Sequence, residues 1–273
     1  MCIAVYKPTE AEFPFKRTLR ECFNNNPDGA GYMVAHGGKV HIRKGFSTFS
    51  AFWKDLRTIR DKIGDRAPYV LHFRISTQAG VRADCTHPFP LSRDMAELRA
   101  LRATADIGIA HNGIITLTSH GWNNTITHSD TMEFITDYAS RLIKTRDWYK
   151  DPDLVAVIEQ MAASRLAILD GEGHCELLGN GWTQDGGVWF SNQSYKPKPA
   201  PKPTPIAYEY DWCDLDAYYS RKISDAKTID PYAEYFDEES GMYFFDDLTC
   251  PATETGNTSF CDLCAFRGDC FGC

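Results

Sequence analysis

Tyr69-Val70-Leu71-His72-Phe73-Arg74-Ile75-Ser76-Thr77-Gln78-Ala79-Gly80 is the stretch on which the fold turns. Its β-branched and aromatic residues read as a strand over 69–76. An arginine stands near the end of that strand, and a threonine- and glycine-containing turn follows it. On either side of it, a short apolar run opens the chain at 3–6, and strands are expected at 31–35, 39–44 and 107–110. A hairpin is expected from 165–170 and 174–178 across Asp170-Gly171-Glu172-Gly173, and a last strand at 188–192. Phe49, Phe52, Trp53, Leu56, Ile59 and Ile63 recur at steps of three and four, one face of an amphipathic helix. Further helices are expected over 131–145 and 152–163, the second with Pro152 in its first turn. Strands and helices do not alternate regularly. That order predicts an α+β chain with mixed or antiparallel sheets and argues against a doubly wound one.

The 273 residues are 43% hydrophobic and 24% charged, a balance that can bury a sizeable core. No apolar run reaches the length of a membrane-spanning helix. Met1-Cys2-Ile3-Ala4-Val5-Tyr6 has neither the basic nor the apolar segment of a signal peptide, so the expected location is cytoplasmic. The net charge is −8, but residues 206–273 hold 15 Asp and Glu against 4 Lys and Arg. The remainder is slightly positive and has no basic stripe to grip a phosphate backbone. Direct nucleic-acid binding and membrane association are therefore not expected.

Lys196-Pro197-Lys198-Pro199-Ala200-Pro201-Lys202-Pro203-Thr204-Pro205 cannot supply the donors of a ladder or helix and reads as a semi-rigid spacer. It separates a main domain, 1–195, from an acidic, aromatic tail, 206–273, with 196–205 as linker. The tail alternates aromatics with acids and lacks aliphatics for its own core. It either solvates, wraps back, or docks on a partner, and docking is the expectation here. Of ten cysteines, five crowd the last 24 residues. Cys261-Asp262-Leu263-Cys264 and Cys270-Phe271-Gly272-Cys273 are paired C-x-x-C units, and four thiolates would hold a structural Zn²⁺ tetrahedrally. Cys250 is a spare ligand. An unliganded tail is the competing reading, with an iron–sulfur cluster or disulfides ranked behind it.

Cys2 carries the first chemical signal. Were Met1 removed, one residue would present a thiol and an α-amine able to take its proton near neutral pH. Read alone, Cys2 is more often the buried start of a strand. Read alone, Arg74 is a surface cation, Asp130 a helix cap and Asn112-Gly113 a hairpin dipeptide. Five segments in order change the weighing: Cys2-Ile3-Ala4-Val5, Asn26-Pro27-Asp28-Gly29-Ala30-Gly31-Tyr32, His72-Phe73-Arg74-Ile75-Ser76-Thr77, His111-Asn112-Gly113 and Ser129-Asp130-Thr131.

Over residues 2 to about 192 this pattern resembles the class II glutamine amidotransferases of the N-terminal-nucleophile hydrolase superfamily, in their compact stand-alone branch. The resemblance implies a four-layer αββα sandwich of two mainly antiparallel sheets. It implies hydrolysis of the side-chain amide of glutamine, or of another γ-glutamyl amide, through a Cys2 thioester, with ammonia released. In that scheme Arg74 binds the substrate α-carboxylate and Asp130 its α-ammonium. The Asn112 amide and the Gly113 N–H form the oxyanion hole, and Thr77 with the Gly80 loop shapes the pocket. Catalysis needs no cofactor. His72, His87 and His111 have the chemistry of a metal set, but the resemblance gives them a structural role. Met132 follows Ser-Asp-Thr where the family commonly has Glu, with Glu133 one place later. With only the tail beyond the main domain and no phosphate-binding glycine loop there, either a separate synthetase receives the ammonia or the protein is a stand-alone amidase on glutamine or another γ-glutamyl amide. The competing class is a binding or regulatory module that keeps the fold without turnover.

Overall fold

The computed structural model describes residues 2–76, 80–117 and 128–197, together with the backbone of 236–237 and 242–243. Two compact units divide at Ala200, inside the Pro/Lys-rich stretch. In the first, β1 (Ile3–Lys7), α1 (Lys16–Asn25), β2 (Ala30–His36), β3 (Lys39–Phe46), α2 (Phe49–Ile63) and β4 (Tyr69–Phe73) come first. A 3₁₀ turn (Ala83–Cys85), β5 (Phe89–Pro90), α3 (Met95–Arg99), β6 (Arg102–Ala105) and β7 (Ile107–Asn112) follow. Then come α4 (Asp130–Phe134), a π-helical turn (Ile135–Ala139), α5 (Ser140–Leu142), a 3₁₀ turn (Arg146–Lys150) and α6 (Pro152–Ala162). The unit closes with β8 (Arg165–Asp170), β9 (Cys175–Leu178), β10 (Thr183–Asp185) and β11 (Val188–Phe190). In the second unit β12 (Phe236–Asp237) pairs antiparallel with β13 (Met242–Tyr243). Among the described residues no helix is long and apolar enough to cross a membrane.

The chain is α+β, with two antiparallel sheets in the main unit. The larger has the order β10-β11-β1-β4-β2-β3-β6 and the smaller β5-β7-β8-β9. β1 lies against β4, with Ile3 opposite Phe73 and Ala4 opposite His72. Alternation along each strand sorts the side chains into layers. Ile3, Val5, Tyr32, Leu71 and Phe73 meet Leu19 and Phe23 of α1 and Phe52 and Leu56 of α2 on one face of the large sheet. The opposite faces of the same strands send Met33, Val40, Ile42 and Val70 against Ala110, Ala167 and Leu169 of the small sheet. The outer face of the small sheet packs Ile109, Leu166 and Ile168 against Phe134, Ile135 and Ile158 of the later helices. Gly108 marks a close approach of the two sheets. A Cβ there would stand 2.6 Å from Met33 Sδ and 3.1 Å from Val40 Cγ1.

Local signals explain the elements read from sequence. Thr48 caps α2 by accepting Ala51 N–H at 3.2 Å, and Gly64 ends it at φ +91°. Asp151 caps α6 through Asp153 and Leu154 N–H, with Pro152 at the first turn. Three expectations shorten in the structure. The strand from Tyr69 stops at Phe73, because Arg74 N–H turns aside to Gly29 O at 2.7 Å and Asp28 N–H takes Arg74 O at 2.9 Å. The last strand stops at Phe190, where Ser191 pairs with Ala4 through backbone and side chain. The helix expected over 131–145 ends at Leu142 and contains the π-helical turn. α1 carries no sequence signal beyond Leu19, Cys22 and Phe23 on one face, and no side chain caps it. β6 is a polar edge strand, which apolar alternation cannot reveal.

Candidate active site

Cys2 stands immediately before β1, partly buried. Its sulfur receives the Ile75 N–H at 3.4 Å and donates to Ile75 O at 3.4 Å. Burial pushes the thiol pKa up, and the Ile75 N–H and the Arg74 charge pull it part of the way back. Asn192 Nδ2 donates to Cys2 O at 2.6 Å, so the segment after β11 holds the residue from its carbonyl side.

Arg74 is 4% exposed and is not a surface cation. Its guanidinium donates to Gly80 O at 2.9 Å, Ser76 Oγ at 3.1 Å and Arg82 O at 3.4 Å, drawing in the 80–82 backbone. Asp28, from the Asp-Gly segment quoted above, accepts Ser76 N–H on Oδ2 at 2.7 Å. The turn after β4 is thereby tied to the start of β2. Thr77 lies outside the described residues.

Asn112 ends β7 with its side chain fully buried between the sheets. Its Nδ2 donates to Ser191 Oγ at 2.8 Å, and that same oxygen accepts Ala4 N–H at 2.8 Å. One hydroxyl thus joins the end of the small sheet to the strand that Cys2 precedes. Among the described residues Asn112 Oδ1 has no hydrogen-bond partner. Gly113 follows at φ +149°, and a Cβ there would stand 1.9 Å from Ser164 Oγ, so glycine is required on both counts. The dipeptide leaves a strand end and is not a two-residue hairpin.

Asp130 is the first residue of α4, and the cap is its neighbour Ser129, which accepts Met132 N–H at 3.3 Å. Asp130, 8% exposed, accepts Ile115 N–H on Oδ2 at 2.8 Å and Thr131 N–H on Oδ1 at 2.7 Å. A carboxylate has about four acceptor positions, so each oxygen keeps capacity for a cationic ligand. Beneath these groups lie His72, His87 and His111, with ring centroids of the first two 4.4 Å apart. Burial drives His72 down to about 3 and His87 well below its usual value. It also lowers His111, against a raising effect of Asp130. Among the described residues no group of His, Cys, Asp and Glu could hold a metal ion. Cys261, Cys264, Cys270 and Cys273 lie outside the described residues.

The structure therefore links Cys2 with Ile75 and Arg74, and Asn112 with Ala4 through Ser191. Asp130 connects to His111, the residue before Asn112, through Thr131. A cleft of about 720 Å³ opens beside Asn112 and Gly113, with Ser164, Arg165 and Asn180 on its walls. A second cleft of about 700 Å³ runs along β6 to Arg146, away from every candidate residue. Ser191, Asn192 and Ser164 were not legible as site residues. They are isolated small polar residues at strand ends, and only their partners across the sheets distinguish them.

No protein-family model matches the chain, and no curated protein matches it.

Proposed function

We propose that the chain is an N-terminal-nucleophile amidase of the class II glutamine amidotransferase kind, built as a four-layer αββα sandwich. It hydrolyses the side-chain amide of glutamine or of a related γ-glutamyl amide. The observation that carries this reading is the Ser191 hydroxyl, which binds both Ala4 N–H and the Asn112 amide at 2.8 Å. The proposed nucleophile thus precedes the very strand on which the proposed oxyanion donor is anchored.

With Met1 removed, the Cys2 α-amine takes the thiol proton, and the sulfur attacks the carboxamide carbon. The C–S bond forms as the carbonyl π pair moves to oxygen. That oxyanion is met by the remaining Asn112 N–H and by Gly113 N–H. As the oxyanion collapses, the C–N bond breaks, and the α-ammonium returns the proton to the departing nitrogen, releasing ammonia. Water then adds to the thioester, the C–S bond breaks and glutamate leaves. A thiol that burial holds protonated needs an adjacent base, and this scheme supplies one from the same residue. Arg74 and Asp130 grip the two charged groups of the amino-acid head, and a separate synthetase receives the ammonia. The cysteine-rich tail holds a structural zinc in this scheme, and the protein works in the cytoplasm.

The test is ammonia release from glutamine and from γ-glutamyl amides by the full chain, beside its Cys2→Ala variant. Wild-type turnover with a loss of about 10⁴-fold or more in the variant is expected, with Met1 absent from the intact mass. A wild-type protein that retains Met1 and turns over none of these amides is a binding module.

A further inference from the structure

Ser164, His111, Thr131, His87 and His72 form one chain of contacts beneath the proposed site, and one order of protons runs through it from end to end. Ser164 Oγ donates to Asn112 O at 3.1 Å, which uses its single proton. The contact of 2.9 Å between Ser164 Oγ and His111 Nε2 must then be a donation from the imidazole. Burial keeps His111 neutral, so its Nδ1 is bare and accepts from Thr131 Oγ1 at 2.8 Å. Thr131 has spent its own proton there. In this order its hydroxyl accepts from His87 Nε2 at 3.0 Å, and the longer 3.3 Å contact in which it would otherwise donate to Asp130 Oδ1 is the one given up. His72 Nε2 donates to His111 O at 3.0 Å. This assignment leaves bare lone pairs on His72 Nδ1 and His87 Nδ1, the two nitrogens of the cluster without a partner among the described residues. The geometry and the unpartnered atoms agree, since a buried lone pair costs less than a buried unpaired N–H.

We propose that His87→Thr131→His111→Ser164→Asn112 is a one-directional hydrogen-bond relay that positions Asn112-Gly113 against Asp130, with Thr131 the positioning residue at its centre. The relay rests on the hydrolase reading for its purpose, but its existence does not. One end fixes the carbonyl of Asn112, whose amide and following N–H are the proposed oxyanion donors. The middle fixes the residue that follows Asp130 and donates to it. Gly113 belongs to the device as well, because any side chain there would evict the Ser164 hydroxyl. Neutral imidazoles suit such a relay, because each has one donor and one acceptor. The chain then has a single polarity; the competing order, with Thr131 Oγ1 donating to Asp130 Oδ1 and the His111 proton on Nδ1, would reverse it.

Two measurements on the full chain test it. Long-range ¹⁵N–¹H spectra of histidine-labelled protein at pH 7 should show His72, His87 and His111 neutral, each with its proton on Nε2. A proton on His111 Nδ1, alone or in an imidazolium, overturns the relay whatever the turnover. Thr131→Val keeps the shape and removes the hydroxyl, and its kcat should fall about 10²-fold through misplaced donors. Thr131→Ser should restore most of that loss. Equal kcat in wild type and the folded valine variant overturns the positioning role. If wild type hydrolyses no γ-glutamyl amide, the hydrolase reading fails while the spectra still decide the relay.

Discussion

Phe73 and His72 are neighbours on β4, both fully buried, and they face opposite worlds. Phe73 enters an aromatic cluster, edge-on to Phe52 at 5.1 Å and to Phe23 at 6.5 Å. His72 enters the space between the sheets, where imidazoles, Thr131, Asn112 and Ser191 are buried instead. The first region stabilises by removing area from water, about 1.5–3 kcal/mol for each large side chain. The second gains little net energy from hydrogen bonds that replace bonds to water, and any missing partner costs ~1–3 kcal/mol. A fold gains nothing in stability by keeping such a cluster in preference to packed hydrocarbon. Its value lies in direction, which hydrogen bonds have and apolar contacts lack.

That contrast can be broken in three places. Phe52→Ala opens a cavity in the aromatic cluster and should cost about 3–5 kcal/mol in urea unfolding. The kcat of the protein that remains folded should be unchanged. Altered kcat at full folding would mean that the aromatic region also sets site geometry. Asn112→Ala in the polar region should do the reverse, lowering kcat by about 10²–10³-fold while KM moves little. Arg74→Ala should chiefly raise KM. If the two variants exchange these signatures, the roles of oxyanion donor and head-group ligand are misassigned.

The smallest effect is on pH. Folding lowers the pKa of all three imidazoles, His72 to about 3. Their stabilising contribution is therefore complete above the unfolded value near 6.5 and is lost as pH falls from there towards 3. Between pH 7.5 and 5.5 the unfolding free energy should drop, by up to about 1.4 kcal/mol per pH unit for each histidine. His72→Gln should flatten the slope by one proton's share. A wild-type profile that is level over that range would show that the cluster is charged when folded.

Burial is what made the fold legible. Phe49–Ile63 has the bounds expected from its apolar stripe, and β3 alternates, while β2, β7 and β8 are buried on both faces and read as short apolar runs. α1 and β6 escaped, since three buried residues in the one and a polar edge in the other leave too little period. Within the site, Cys2, Arg74, Asn112, Gly113 and Asp130 could be singled out by residue type and order. Ser191, Asn192 and Ser164 could not, because a serine or asparagine at a strand end looks alike whether it faces water or another sheet.

The amino-acid order alone determined which residues could act as nucleophile, cation, anion and turn, since those properties belong to side chains taken singly. It also determined the α+β class, since period and punctuation are local. Only the packing of two sheets decided that Asn112 shares a hydroxyl with Ala4, that Arg74 is buried, and that burial lowers the pKa of three imidazoles. Those are properties of neighbours far apart in the chain, brought together where water is excluded and where each remaining polar atom must find its partner.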